Sequence, residues 1–106
     1  MITTLTEENF EAFIGSDEPV LVDFWATWCG PCMMQGELLH TMTEAHPAAS
    51  VGKVNVDECG GLAARFGIED IPTMIIFKEG KALETLVGMR QAEELLSLLR
   101  KYGAGV

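Results

Sequence analysis

Two cysteines separated by two residues are the part of this sequence best suited to chemistry. Cys29 and Cys32 enclose Gly30 and Pro31, and this spacing lets one sulfur reach the other and close a small ring. The thiolate is the attacking species in disulfide exchange. A cysteine at the N-terminus of a helix is favoured as a thiolate by unpaired N–H groups and by the positive end of the helix dipole. The pair therefore predicts dithiol–disulfide redox chemistry.

Two other uses of the pair remain open at this point, half of a zinc site and an inert pair of thiols. A structural zinc site has four ligands. The sequence offers only Cys59, His40 and His46 besides the pair, and it contains no second pair of closely spaced ligands. We therefore favour redox chemistry over both alternatives, and we expect the two histidines to lie on the surface.

The elements around the pair determine whether its sulfurs can react. Residues 20–26 form a nearly continuous apolar run of branched and aromatic side chains, typical of a central parallel strand buried on both faces. A long helix through Met34 and Met42 is predicted next, ending before His46. The pair then lies at the junction, with Cys29 at the helix N-terminus. Pro31 is tolerated in a first helical turn, and Gly30 permits a tight turn.

The rest of the chain alternates between predicted strands and helices. Thr6 is the expected N-cap of a first helix that ends at Gly15, with acidic residues in its first turn. Strands separated by helices indicate parallel βαβ units, and a final hairpin adds antiparallel strands. The prediction is therefore a mixed α/β sheet with helices on both faces. Its remaining elements are strands at 2–5, 51–56, 73–77 and 82–87, and helices at 62–66 and 92–99.

Length and charge narrow the classes of function. The chain has 106 residues, 48% of them apolar, and carries 7 basic against 16 acidic side chains for a net charge of −9. We expect one domain over 1–106 with a real core, and neither nucleic acid nor an anionic membrane as partner. The longest apolar runs are only strand-sized, and the N-terminal residues do not resemble a signal peptide. Three cysteines are too few for a secreted disulfide scaffold, which favours the reducing cytoplasm.

Longer stretches of the sequence resemble the thioredoxin family. Residues 22–32 read Val-Asp-Phe-Trp-Ala-Thr-Trp-Cys-Gly-Pro-Cys, residues 53–57 read Lys-Val-Asn-Val-Asp, and residues 67–73 read Gly-Ile-Glu-Asp-Ile-Pro-Thr. Residues 77–80 and Gly88 also fall where the family has them. The resemblance covers nearly the whole chain. It implies a single domain with the thioredoxin fold, a central mixed sheet of five strands flanked by four helices on both faces.

The resemblance also implies a reaction. Cys29 would attack a disulfide of a target protein, and Cys32 would then release the target as a dithiol. A thioredoxin reductase, drawing on NADPH or another donor, would return the electrons. Neither a metal nor a bound cofactor is implied, and a monomer is expected. Two alternatives stay open, an oxidising or isomerising relative on the same fold and a non-catalytic subunit that only binds a partner.

Asp23 is an unusual residue for an apolar strand. Burial would raise the pKa of its carboxyl and suit it for proton transfer near pH 7. The alternative is a solvated face that Asp23 shares with Leu21 and Trp25. The resemblance implies that Asp23 is the buried acid beneath the disulfide, which helps to deprotonate Cys32 directly or through water. It also makes Lys53 the neighbour of this acid, although a solvated strand lysine is the alternative.

The resemblance further implies a binding surface for the target. Pro72 would follow a cis peptide bond and face the disulfide, and the Ile71 backbone would pair with an extended segment of the target, as in strand addition. An apolar patch around Cys29 would complete this surface. Its expected members are Trp28, Gly30, Pro31, Ile71, Pro72, Gly88 and Met89.

Several positions depart from the family pattern. Met33 stands where a basic residue is usual, which gives the thiolate less support. Glu37 replaces a common helix-kinking proline, so we expect a straighter helix. Glu69 and Asp70, if exposed, should favour basic partners. Cys59 opens the third helix, where a thiol can be exposed and reactive; we favour an incidental small residue, because the adjacent acids oppose a thiolate.

Overall fold

The computed structural model describes all 106 residues, Met1–Val106, as five strands and four helices. None of these helices combines the length and the apolar character needed to cross a lipid bilayer. In chain order the elements are β1 (Ile2–Thr4), α1 (Phe10–Ile14), β2 (Val20–Trp25), α2 (Gly30–Ala45), β3 (Val51–Asn55), α3 (Gly60–Arg65), β4 (Thr73–Lys78), β5 (Lys81–Val87) and α4 (Ala92–Lys101).

The five strands form one mixed sheet in the order β1-β3-β2-β4-β5. β3 runs parallel to β1 and to β2, whereas β4 runs antiparallel to both β2 and β5. β2 is the central strand, and five of its six residues are buried. Its continuous apolar character therefore has the predicted cause, because such a run suits a strand covered on both faces. The predicted five-stranded mixed sheet is confirmed.

Alternating side chains of the sheet contribute to two separate cores. On one face, Phe10 of α1, Phe24 of β2 and Phe77 of β4 belong to a cluster of 11 buried residues. On the other face, Leu39 of α2 and Leu95 of α4 belong to a second cluster of 11. Successive strand residues point to opposite faces, so both sides of the sheet need a helical cover. The helices on both faces are thus confirmed.

The first helix begins later than predicted. In the structure it begins at Phe10, and Asn9 at its N-cap position makes no side-chain hydrogen bond to the helix. Asn9 Oδ1 instead accepts a hydrogen bond from the Thr6 N–H at 2.7 Å, and Thr6 Oγ1 accepts one from the Glu8 N–H at 3.3 Å. These polar side chains stabilise a local turn in place of a helical one. The prediction of Thr6 as N-cap is therefore wrong, while the other element boundaries lie within three residues of those predicted.

Candidate active site

The Cys29–Cys32 pair lies where the chain leaves β2 and enters α2. Cys29 is the N-cap of α2, with extended backbone, and its Sγ accepts a hydrogen bond from the Cys32 N–H at 3.2 Å. The two cysteines form a disulfide with their Cα atoms 5.2 Å apart. Cys29 is 6% exposed, whereas Cys32 is fully buried. Of the two cysteines, only Cys29 retains any exposure to solvent.

Asp23 lies on β2 and faces Lys53 on the neighbouring strand β3. The two residues are opposite each other in the parallel register of β2 and β3, and Lys53 Nζ lies 4.0 Å from Asp23 Oδ2. Asp23 is fully buried, and no protein group donates a hydrogen bond to either carboxylate oxygen. The predicted burial of Asp23 is confirmed, and the solvated-face alternative is wrong.

The surroundings of Asp23 place its titration close to neutral pH. Burial raises the pKa of its carboxyl from 3.8 to about 7, because the charged form loses its hydration, while the positive charge of Lys53 acts in the opposite direction. Lys53 Nζ also lies 4.6 Å from the centroid of the Trp25 ring, a cation–π contact. The carboxyl can therefore gain or release a proton at the pH at which thiols are exchanged.

An open cleft lies next to the inner side of the pair. Its volume is about 580 Å³, and the residues that line it include Cys32, Lys53 and several residues of α2. The sequence places these two residues 21 positions apart, so only the packing of α2 over β3 joins them. The other residues that line the cleft are Trp25, Met33, Gly36, Glu37, His40 and Thr41.

The outer side of the pair faces the loop before β4. The Ile71–Pro72 peptide bond is cis, as the family resemblance implies, and Ile71 O lies 3.7 Å from Cys29 Sγ. Pro72 O accepts a hydrogen bond from the Gly88 N–H at 2.8 Å. Gly88 has a φ of 92°, a conformation that glycine adopts without strain. Residues 71–72 and 88 therefore meet beside the reactive sulfur.

The expected substrate patch is uneven in its exposure. Trp28 is 70% exposed, and its Nε1–H donates to Asp57 Oδ2 at 2.8 Å, which holds the ring beside the pair. Pro72 is buried, so its ring offers little surface. The remaining members divide into exposed Gly30 and Pro31 and half-buried Ile71, Gly88 and Met89.

Two features of α2 are absent from the sequence-based predictions. Met34 is 58% exposed and lies outside the core that the helix covers. Gln35, by contrast, is fully buried, and its side chain contacts the backbone of Arg90. The signal for Gln35 was its spacing, since residues three or four apart share a helix face and Gln35 lies at that distance from both Cys32 and Leu39.

The positions that depart from the family pattern are mostly exposed. Met33 is 41% exposed next to the pair, and Glu69 and Asp70 are exposed just before the Ile71–Pro72 bond. α2 runs unbroken through Glu37. The exposure that the charge argument requires for Glu69 and Asp70 is thus present.

Cys59 is a buried thiol and not an exposed one. It is 7% exposed, belongs to the core cluster that contains Phe10, and has its Sγ 3.9 Å from Leu5 O. Burial raises the pKa of its thiol, and the negative charges of Glu7 and Glu58 raise it further. The alternative of an exposed thiol is therefore wrong, and the place of Cys59 in the core agrees with the favoured interpretation of a packing residue.

The remaining candidate metal ligands do not converge. No group of three or more His, Cys, Asp and Glu side chains is arranged to hold a metal ion. His40 instead lies on the surface with its Nε2 3.5 Å from Glu44 Oε1. Cys29 and Cys32 are instead bonded to each other in a disulfide.

Known proteins are similar to this chain in both sequence and fold. The thioredoxin family model matches residues 1–101. Thioredoxins of Alicyclobacillus acidocaldarius and Chlamydia pneumoniae are 48% identical over 93 residues and 39% identical over 102 residues. These alignments cover 87% of this chain and 89% of the first relative, and 96% of this chain and 99% of the second.

Solved structures agree with the sequence relatives. A thioredoxin of Malassezia sympodialis superposes with a TM-score of 0.84 at 33% identity, covering 97% of this chain and 94% of its own. A mutant thioredoxin of Halobacterium salinarum gives 0.87 at 31% identity, covering 99% and 93%. This chain therefore belongs to the thioredoxin family, and it is a thiol–disulfide oxidoreductase that reduces disulfides of target proteins through Cys29 and Cys32.

Proposed function

We propose that Cys29 is the attacking thiol and that Cys32 is the resolving thiol. The observation that carries this assignment is the difference in exposure between the two sulfurs, since Cys29 reaches the surface and Cys32 is fully buried. A target disulfide can approach Cys29, while the buried Cys32 can attack only the neighbouring sulfur of Cys29. The short spacing of the pair makes this second attack intramolecular and therefore fast.

The reaction balances in two steps. The Cys29 thiolate attacks one sulfur of the target disulfide, a Cys29–target bond forms, and the other target sulfur leaves as a thiolate. Cys32 then loses its proton and attacks Cys29 Sγ. This step breaks the mixed disulfide, forms the Cys29–Cys32 disulfide and releases the second target sulfur as a thiolate. The target gains two electrons, and the pair loses them.

Asp23 is proposed to accept the proton of Cys32. Its buried carboxyl titrates near pH 7, so near neutral pH a large fraction is ionised and can act as a base. Lys53 is proposed to keep this fraction from becoming too small, because its charge 4.0 Å away favours the ionised carboxylate. Both groups act on Cys32, whose thiol must lose its proton during the second step.

The target is proposed to bind as an extended segment across the outer side of the pair. Ile71 O lies beside Cys29 Sγ, where backbone groups of the target can pair with it as an added strand. Trp28, Gly30 and Pro31 would border this segment on one side. Pro72, Gly88 and Met89 would border it on the other, with Pro72 acting through its backbone because its ring is buried.

We further propose a cellular setting for this reaction. A thioredoxin reductase, supplied by NADPH or another donor, returns two electrons to the pair, so the chain needs no bound cofactor. Both reacting cysteines belong to one chain, which supports a monomer with one domain over 1–106. The cytoplasm is the proposed location, because an odd number of cysteines with Cys59 unpaired is typical of reducing compartments.

A trapping experiment tests the two thiol roles. Reduced Cys32→Ser protein, incubated with insulin as a disulfide-containing target, should accumulate a stable mixed disulfide through Cys29. The matched Cys29→Ser variant should form none, because both of its remaining thiols, Cys32 and Cys59, are buried. A mixed disulfide in Cys29→Ser alone would reverse the roles. Full activity of Cys29→Ser would favour the non-catalytic binding subunit.

The reduction potential separates a reductase from an oxidising relative. The Cys29–Cys32 pair of a Cys59→Ala variant can be equilibrated with a defined thiol–disulfide buffer. We expect a potential more negative than that of the glutathione pool, which is what a reductase requires. A potential at or above that of the pool would contradict the reductase assignment.

A further inference from the structure

Gln35 is a fully buried polar side chain that the exchange reaction does not use. It lies on α2, three residues after Cys32, on the side of the helix that packs into the protein. A buried amide is unfavourable unless its N–H and C=O groups are hydrogen bonded. The partners of Gln35 therefore indicate what the residue holds in place.

Both partners of the Gln35 amide are backbone groups of one residue. Gln35 Nε2–H donates to Arg90 O at 3.0 Å, and Gln35 Oε1 accepts from the Arg90 N–H at 2.7 Å. Arg90 lies between the end of β5 and the start of α4. The Gln35 amide thus gives Arg90 the pair of hydrogen bonds that a neighbouring strand would supply.

The segment that ends at Arg90 is also attached on its other side. The Gly88 N–H donates to Pro72 O at 2.8 Å, next to the Ile71 carbonyl that faces Cys29. Residues 88–90 are therefore held between the loop before β4 and α2. Met89, the half-buried middle residue of this segment, belongs to the proposed substrate surface.

The Arg90 side chain supports the same arrangement. Its guanidinium donates to Val87 O at 3.1 Å and to Glu94 Oε2 at 2.8 Å. These contacts are local, spanning three and four residues, whereas the Gln35 contacts span 55. The hydrogen bonds of the Gln35 amide are the only ones that connect residues 88–90 to the helix that carries the reactive cysteines.

We infer that Gln35 is a positioning residue for protein substrates. Its amide fixes residues 88–90, and with them Met89, relative to the helix that begins at Cys29. Because this role rests on the proposed substrate surface, its loss weakens the binding of an extended protein segment. A small disulfide does not contact residues 88–90. Its reaction with Cys29 therefore does not depend on the two hydrogen bonds between Gln35 and Arg90, which we call the clamp. Specific geometry of this kind affects the reaction through binding and orientation.

The central test replaces Gln35 with methionine, which has a similar volume and no amide. Gln35→Met leaves both partly buried backbone groups of Arg90 without their partner, and leaving such groups unpaired is costly. We expect the KM for insulin to rise about tenfold, with kcat and the reduction potential within about twofold of the original protein. The rate with the small disulfide 5,5′-dithiobis(2-nitrobenzoate) should likewise change by less than about twofold.

A matched control separates positioning from a general loss of stability. Thr43 is also polar and buried on α2, but its Oγ1 donates to His40 O at 3.1 Å within the same helix. Thr43→Val should leave the KM for insulin unchanged even if it lowers the thermal midpoint. Equal increases of KM in Thr43→Val and Gln35→Met would overturn the proposed role.

Two further variants keep the test decisive if Gln35→Met folds poorly. Gln35→Glu retains an oxygen for the Arg90 N–H, so its KM should lie between those of the original protein and Gln35→Met. Met89→Ala removes the side chain that the clamp is inferred to position. An increase in KM for Met89→Ala but for neither Gln35 variant would overturn the clamp alone. If none of these variants raises KM, both the clamp and the proposed substrate surface are wrong.

Discussion

Cys29 and Cys59 occupy equivalent local positions but have opposite properties. Each is the N-cap residue of a helix, Cys29 for α2 and Cys59 for α3. Each is also almost completely buried, at 6% and 7% exposed. Neither position in the chain nor burial therefore explains why one sulfur takes part in exchange and the other does not.

The difference lies in the groups that face each sulfur. Cys29 Sγ accepts a hydrogen bond from the Cys32 N–H, and α2 has 16 residues. Cys59 makes no side-chain hydrogen bond to its six-residue helix, and Glu7 and Glu58 raise the pKa of its thiol. A helix N-terminus favours a thiolate, but nearby carboxylates can cancel this effect. Reactivity is therefore a property of the site and not of the helix start.

Replacing each cysteine in turn with serine should give the largest difference in activity between the two positions. Cys29→Ser should lower the rate of insulin reduction by about a thousandfold or more, because it removes the nucleophile. Cys59→Ser should leave the rate within about twofold. Insulin turbidity with dithiothreitol as electron donor measures both. A comparable loss of activity in Cys59→Ser would show that the third thiol takes part in the reaction.

The buried acid Asp23 should make the stability of the protein depend on pH. The pKa of Asp23 in the folded protein, about 7, is higher than its ordinary value of 3.8, so between these values the folded state holds a proton that the unfolded state releases. Stability therefore falls as pH rises through this window, by about 4 kcal/mol in total. Asp23→Asn should abolish this contribution to the pH dependence. The stability of the variant, compared with that of the original protein, should therefore be more favourable at pH 8 than at pH 4.

Urea unfolding of both proteins between pH 3.5 and 8.5 measures this difference. The same slope of unfolding free energy against pH in the two proteins would contradict the burial argument. The variant should also reduce insulin at least about tenfold more slowly near neutral pH, because the proposed base for Cys32 is lost. Retention of the full rate would leave Asp23 a structural residue only.

Removing the acidic side chains around Cys59 should make the reactivity of its thiol more similar to that of Cys29. Glu7→Gln combined with Glu58→Gln should lower the pKa of the Cys59 thiol, because two charges that oppose the thiolate disappear. We expect iodoacetamide to label Cys59 up to about tenfold faster at pH 8, in a Cys29→Ser/Cys32→Ser background that leaves one thiol. Mass spectrometry measures the labelling rate. An unchanged rate would mean that burial alone protects this sulfur.

Acidic residues on the rim of the active site should have the smallest effect. Glu69 and Asp70 are exposed beside Ile71, so they act on an approaching partner and not on a buried thiol. Replacing both with lysine should raise kcat/KM by about twofold for an acidic peptide disulfide and lower it for a basic one. High salt should remove the change, since exposed charges are screened. A salt-independent effect would indicate a change in the loop itself.

Much of the fold and the reactive pair could be predicted from local patterns. The apolar run of β2 and the spacing of Cys29 and Cys32 involve residues that are close together in the chain, so both features can be recognised from the sequence. The start of α1 was missed because Thr6 hydrogen bonds with Asn9 in a turn, and one sequence pattern is compatible with either a turn or a cap. Cys59 has two interpretations in the sequence, because a cysteine at a predicted helix start can be either exposed or buried.

The chemistry available to this protein can be read from local sequence: two thiols three residues apart at a predicted strand-to-helix junction. The groups that surround those thiols depend on the tertiary structure. It buries Asp23 opposite Lys53, brings Ile71 to Cys29 from 42 residues away and joins Gln35 to Arg90 across 55 residues. The physical reason is that pKa values, accessibility and the pairing of buried polar groups depend on neighbours in space, and packing of the sheet and helices selects those neighbours.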